Sequence, residues 1–197
     1  MRRAERRGEP VFSILTVCHG NICRSPLAEQ LLRARFAEAG IRSIEVASAG
    51  LGAVVGAPME PVPAELSRHY GADPAGAVGR QLGDRDIDAA DLVLTMTVGQ
   101  RNELVSRYPR ASQRTFTIIE FARLLATLPD EHPVDTDDEA AVARHLQLVG
   151  AASRRRSMVR LTPADDVIDP MGRSRAVHES VAEQLSLTTS RLVFGLR

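Results

Sequence analysis

Lysine is absent from all 197 residues: the 25 basic side chains are arginines without exception. No Schiff base, lysine nucleophile or lysine-dependent nucleotide loop is therefore available. Tryptophan is also missing and aromatic residues make up only 4 %, so a core has to be built from Leu, Val, Ile and Ala. Net charge is lacking too, because 25 acidic residues balance the 25 basic ones. That excludes a nucleic-acid binder driven by overall charge. The short basic runs at 2–7 and 154–156 are expected to be solvated tail and loop. No apolar run approaches the ~20 residues a membrane span needs. The apolar stretch 11–17 is interrupted by Ser13 and Thr16 and leads into Cys18-His19-Gly20, not a small-residue cleavage site. No signal peptide is expected, and the protein is expected to be cytoplasmic, with no membrane partner. Cysteine is scarce, with Cys18 and Cys23 alone. A structural disulfide is not expected in that compartment. Two cysteines five apart, without a further cysteine or a paired histidine, do not make a zinc site. The histidines (His19, His69, His132, His145 and His178) show no metal or triad spacing and are expected mostly at the surface.

The chain is 44 % hydrophobic and long enough for one domain with a proper core. Residues 1–10 are expected to be a flexible basic tail, and 11–197 a single domain carrying a loop-helix-loop insertion at about 129–163. Strands are expected at 11–17, 44–48, 91–96 and 114–119. Helices are expected at 26–39, 60–69, about 98–108, 120–128, about 139–153 and about 173–194. Strands alternating with helices give right-handed units and a parallel sheet covered on both faces. Ligands of such sheets bind beyond the carboxyl ends of the strands, where strand order reverses. Cys18 directly follows the first strand.

The segment 17–26 (Val-Cys-His-Gly-Asn-Ile-Cys-Arg-Ser-Pro) joins that strand to a helix. A loop wrapped onto a helix N-terminus presents unpaired N–H groups and a partial positive charge, which together cradle an anion. Gly20 is expected to allow close backbone approach, Ser25 to cap the helix and Pro26 to fit its first turn. A thiol at the start of such a cradle gains nucleophilic character as the thiolate. Arg24, six residues on, has the planar fork that holds two phosphate oxygens at once. Near the end of the chain, Asp169-Pro170 follows two further aspartates, Asp165 and Asp166, any of which can serve as an acid; Asp169 is preferred because a proline and then a helix follow it.

Residues 17–29, ending Pro-Leu-Ala-Glu, resemble the signature of the low-molecular-weight protein tyrosine phosphatases. Ser48-Ala49-Gly50, Arg80-Gln81-Leu82, the run 90–96 (Ala-Asp-Leu-Val-Leu-Thr-Met) and Asp169-Pro170 resemble later segments of that family. The resemblance implies an α/β three-layer sandwich of the phosphotyrosine protein phosphatase I type, with a four-stranded parallel sheet in the order 2-1-3-4. It implies that Cys18 attacks phosphorus to form a phosphocysteine. His19, Gly20, Asn21, Ile22, Cys23, Arg24 and Ser25 would bind the phosphate, and Asp169 would protonate the leaving oxygen and then activate water. Asn21, Ser25 and Ser48 would brace the loop. A reversible Cys18–Cys23 disulfide would shield the nucleophile. No cofactor or metal is implied; the partner is a phosphorylated protein, with inorganic phosphate as product or inhibitor.

The chain departs from the family pattern at three places. Met171-Gly172 stand where many members carry tyrosines, Gly52-Ala53-Val54 where many carry a tryptophan, and Ala77 where many carry a histidine. The first two changes remove stacking surface for a phosphotyrosine ring. Arsenate reductases of this fold need cysteines downstream, and none follows Cys23. Protein-arginine phosphatases resemble the loop but carry threonine where this chain has Ile22, and the branched apolar side chain favours phosphotyrosine. A phosphate- or phosphoprotein-binding module without catalysis needs neither the nucleophile nor the acid, and both are present.

Overall fold

Four short runs carry apolar side chains on both faces, the pattern of strands buried between two layers. The computed structural model describes residues 5–6, 9–129 and 138–196. A small antiparallel pair, β1 (Glu5–Arg6) with β2 (Glu9–Pro10), comes first, within the segment expected as a frayed tail. The main sheet follows, with β3 (Phe12–Cys18), β4 (Ile44–Gly50), β5 (Leu92–Thr95) and β6 (Thr115–Thr117). All its pairings are parallel, in the order β4-β3-β5-β6, so the second, first, third and fourth strands of the sheet lie side by side as expected.

The connecting helices are α1 (Arg24–Glu38), α2 (Pro61–His69), α3 (Asp84–Ala89), α4 (Val98–Arg107), α5 (Ile118–Leu125), α6 (Asp138–Arg155) and α7 (Arg175–Gly195). Strand alternation sorts the core into two clusters. Phe12, Ile14, Leu92, Leu94 and Phe116 pack with α1, α5 and α7, whereas Leu15, Val17 and Val93 pack with Ile87 of α3 and Leu104 of α4. The chain runs from β3 to β4 on one side and returns to β5 on the other. The reversal point therefore lies at the carboxyl end of β3, where Cys18 stands. The six-residue α3 had no counterpart in the sequence reading, because one and a half turns are too short to show a period. Among the described residues no helix is long and apolar enough to cross a membrane.

The segment around 129–163, expected as an insertion, follows α5. Residues 130–137, including His132 and most of the acidic stretch 135–139, lie outside the described residues. The expected helix is α6, whose buried Val142, His145, Val149 and Ala152 share one face. It packs beside α5, β2 and the amino end of β3, opposite to the end that carries Cys18. His145, expected at the surface, is instead buried: its ring centroid lies 5.1 Å from that of Phe12, and its Nε2 lies 2.8 Å from the Leu196 carbonyl.

The basic triplet also departs from the solvated reading. The Arg156 guanidinium sits 3.9 Å from the Phe116 ring centroid and donates to Glu120 Oε1 at 2.9 Å and to the Ser112 carbonyl at 3.0 Å. Glu120 is fully enclosed and also closes the capping box of α5 with Thr117. A charge run is solvated by default, but a buried carboxylate needs a cation, and Arg156 supplies it. Arg156→Ala leaves Glu120 with Arg101 alone, at 3.8 Å. The variant is expected to lose about 3 kcal/mol of stability, as broken buried pairs do. Urea unfolding checks this, and an unchanged midpoint would contradict it.

Candidate active site

Five residues separate the end of β3 from the start of α1, and their backbone polarity is sorted. The carbonyls of Cys18, His19, Gly20 and Ile22 accept from the N–H groups of Leu51, Gly52, Val54 and Glu60, at 3.0, 3.1, 3.0 and 2.8 Å. With the carbonyls drawn outward, the N–H groups of His19, Gly20, Ile22, Cys23, Arg24 and Ser25 have no protein acceptor among the described residues. The Asn21 N–H donates to Cys18 Sγ at 3.3 Å. The loop is thus a ring of donors on the positive end of a helix, which is an anion site.

Close packing of the neighbouring loop makes this sorting possible. A Cβ on Gly50 would stand 2.4 Å from the His19 carbonyl oxygen, and one on Gly79 would stand 2.3 Å from that of Val54. Gly20 is different: a Cβ there would meet only the Ile22 and Val54 side chains, at 3.6 Å or more. Within the protein, then, the close approach expected of Gly20 belongs to Gly50. Ser25 also differs from expectation. The N-cap of α1 is Cys23, without a side-chain cap, and Ser25 lies inside the helix with its hydroxyl turned to Cys18.

Asn21 holds the loop together. Its backbone takes the left-handed conformation, φ 54°, a region that asparagine tolerates better than most residues. Its Oδ1 accepts from the Arg80 N–H at 2.8 Å, which fixes the amide orientation, because that partner can only donate. Its Nδ2 then donates to Ser25 Oγ at 3.0 Å and Ser48 Oγ at 2.8 Å. Ser48 donates in turn to Glu29 Oε2 at 2.6 Å. Because Ser25 accepts from Asn21, its own hydrogen is left for Cys18 Sγ, 2.9 Å away. The chain of hydrogen bonds thus ends with the Ser25 hydroxyl beside the sulfur. Glu29 and Arg80 had been seen only as members of motifs. Their parts emerge from folding: Glu29 lies one helical turn beyond Ser25, and Arg80 arrives from a separate loop, donating to the Ser48 carbonyl at 2.9 Å and pairing with Asp86.

Across the ring, Arg24 is 4 % exposed. It donates to Asp169 Oδ2 at 2.6 Å and to the Val167 carbonyl at 3.1 Å, and its buried Nε has no partner among the described residues. The structure separates the three aspartates. Asp165 is enclosed, pairs with Arg123 and accepts from the Thr162 N–H at 2.8 Å. Asp166 accepts from the Val98 N–H at 2.7 Å at the start of α4. Asp169 alone reaches Arg24, with about half of its side chain open to solvent.

Both cysteines are free and buried. Burial pushes the Cys23 thiol up to about 12, Cys18 pushes it further in the same direction, and Arg24 partly opposes them. Cys23 is therefore a neutral thiol throughout the physiological range. His19 is exposed, and its ring lies over Gly52, where a Cβ would come within 2.9 Å of it.

Two outcomes follow from this geometry. Gly50→Ala forces the His19 carbonyl away and is expected to weaken phosphate binding, read by calorimetry, by more than about tenfold, the loss of a charge-assisted hydrogen bond or two. Unchanged affinity would contradict the backbone account. In the folded protein at pH 8, iodoacetamide is expected to leave Cys23 unmodified in peptide mass maps, because the thiolate is the reacting form. Labelling of Cys23 at the rate seen after unfolding would contradict its assigned burial.

Comparison with known proteins agrees with the geometry. The model of the family described as low molecular weight phosphotyrosine protein phosphatase matches residues 13–155. A probable low molecular weight protein-tyrosine-phosphatase, EpsP, of Ralstonia nicotianae is 35 % identical over 130 residues, covering 66 % of this chain and 86 % of its own. A protein-arginine-phosphatase of Geobacillus stearothermophilus is 36 % identical over 110 residues, covering 56 % of this chain and 71 % of its own. The crystal structure of a low molecular weight protein tyrosine phosphatase from T. tengcongensis superposes with a TM-score of 0.67 at 29 % identity, covering 92 % of this chain and 97 % of that one. With the loop, the sheet order and these matches in agreement, the chain belongs to the low molecular weight phosphotyrosine protein phosphatase family.

Proposed function

We propose that the protein hydrolyses phosphate monoesters on phosphorylated proteins, with phosphotyrosine as the preferred residue, through a phosphocysteine intermediate. The observation that carries this reading is the sulfur of Cys18, held 2.9 Å from the Ser25 hydroxyl, inside a ring of N–H groups closed by Arg24. The N–H groups and the Arg24 guanidinium hold the non-bridging phosphate oxygens. Cys18 Sγ forms a bond to phosphorus as the bond to the ester oxygen breaks. The departing oxygen takes the proton of Asp169. That proton is one Asp169, half open to solvent, takes up from water once substrate has drawn Arg24 away; in the second step Asp169, now a carboxylate again, takes a proton from the attacking water. The water oxygen bonds to phosphorus, the S–P bond breaks, and inorganic phosphate leaves with the sulfur again anionic. The donors are fixed before the substrate arrives, so charge that develops on the phosphoryl oxygens is met without reorganisation.

The Arg24–Asp169 ion pair fits this sequence of events. A phosphate dianion reaching Arg24 competes with the carboxylate for the guanidinium, and Asp169, half open to solvent, then turns to the leaving oxygen. A cytoplasmic location accords with two unpaired thiols.

A second reading, protein-arginine phosphatase, draws on the Geobacillus stearothermophilus relative. Against it, Ile22, whose side chain lies with that of Val54 within 4 Å of where a Cβ on Gly20 would stand, offers no hydroxyl to a guanidinium. A panel of phosphotyrosine, phosphoarginine and phosphoserine peptides separates these readings, with phosphotyrosine expected to give the highest kcat/KM. A module that binds phosphate without turnover is the outcome that would overturn the assignment.

Cys18→Ser is expected to abolish turnover of p-nitrophenyl phosphate. Asp169→Asn is expected to lower kcat by about 100-fold or more on phenyl phosphate, within the range of general acid catalysis. The loss on p-nitrophenyl phosphate is expected to be smaller, because that leaving group needs less help from a proton. Equal losses on the two esters, measured side by side, would remove Asp169 from the role of acid.

A further inference from the structure

Three loops touch the phosphate cradle directly. Loop 51–58 supplies three of the four N–H groups that hold the cradle carbonyls. Loop 74–79 lies against it, with the Gly79 N–H donating to the Ala57 carbonyl at 2.8 Å and Val78 bridged to Pro58. Loop 167–172 meets Arg24 through Val167 and Asp169. Together these loops hold twenty residues, of which a single one, Asp169, is ionisable. In a chain that is 25 % charged, about five would be expected.

Packing accounts for the glycines here but not for the large side chains. Among the described residues nine large hydrophobic side chains are well exposed, and five of them lie on these loops: Val54, Val55, Val78, Ile168 and Met171, between 42 % and 70 % open. Exposed apolar residues are ordinary when scattered singly; grouped around one opening, they mark a contact surface. The group reaches the cradle, because Val54 and Ile22 both lie within 4 Å of where a Cβ on Gly20 would stand. Of the charged side chains next to the loops, Glu60 and Arg173 form no ion pair among the described residues, and three others are engaged elsewhere. Arg80 turns to Asp86 and the Ser48 carbonyl, Asp73 accepts from the Ala75 N–H, and Arg175 pairs with Glu65 and Glu179.

We infer that the mouth of the cradle selects phosphorylated protein segments whose residues flanking the phosphorylated side chain are apolar and uncharged. The inference rests on the phosphatase reading and extends it to a class of substrate sequence. The phosphate group supplies the electrostatic attraction, through the ring and Arg24. The flanking residues supply apolar contact with the two sides of the opening, Val55 and Val78 on one and Ile168 and Met171 on the other. An acidic or basic flank that lies against Val55, Val78, Ile168 or Met171 would lose water to side chains that offer it no charged partner.

The test uses three phosphotyrosine peptides of equal length, flanked by Val, Leu and Ala, by Asp and Glu, or by Arg, and measures kcat/KM for the full chain. The apolar peptide is expected to be favoured at least tenfold over both charged ones. Val55→Asp and Val78→Asp, at well-exposed positions where folding is not at risk, are each expected to reduce that ratio severalfold. Equal kcat/KM for the three peptides, a preference for a charged flank, or ratios unchanged in both variants would each overturn the inference. Wild-type turnover of p-nitrophenyl phosphate, which has no flanking residues, reports on the phosphatase reading alone. If it is normal while the peptides are not distinguished, the inference fails and the phosphatase reading stands; if it is absent, both fail.

Discussion

A loop that gathers its N–H groups on one side must send its carbonyls to the other, and buried carbonyls need donors. Here the donors come from the stretch that follows β4, where Leu51, Gly52, Val54 and Glu60 each take one carbonyl of the cradle. The phosphate site is therefore made by two adjacent strands and not by one loop. Parallel pairing of β3 with β4 brings Cys18 opposite Gly50, and that register sets the two stretches alongside each other. Gly50 is required because the two backbones approach too closely for a side chain. Everything else in the site presupposes this arrangement: the helix dipole of α1, the sulfur at its mouth and the guanidinium across from it.

The second constraint is the direction of protons. A buried polar chain is stable only if each member has a partner of the right kind. Glu29 can only accept and the Arg80 N–H can only donate, and between them the directions at Ser48 and Asn21 are fixed. The chain ends at the Ser25 hydroxyl, 2.9 Å from Cys18 Sγ. Cys23, a few residues on, has no such donor, and burial keeps it neutral. Two cysteines on one loop thus have different surroundings.

Much of this was legible in the sequence, and the reasons differ by residue. Cys18 and Arg24 lie within one short segment whose neighbours declare a strand before and a helix after. The strands were visible as apolar runs and the long helices as periodic faces, so the sheet order followed from the family resemblance. Glu29 and Arg80 lay in recognised stretches, but their parts depend on contacts made only after folding. Ser25 looked like a cap because serine favours that position, yet the helix starts earlier and the hydroxyl is needed by the sulfur. Arg156 and His145 were misjudged for a common reason: composition says that charged and polar groups face water, and it does not show that Glu120 is buried and needs a cation, or that α6 closes over Phe12.

The central claim is that a single sulfur becomes covalently bound to phosphorus during turnover. In Asp169→Asn, p-nitrophenyl phosphate can still load the sulfur because its leaving group departs without a proton, while hydrolysis of the intermediate lacks its base. Acid quenching of that variant during turnover, followed by peptide mass spectrometry, is expected to show a phosphoryl adduct on Cys18. Product formation with no adduct on Cys18, or with the adduct on another residue, would contradict the account.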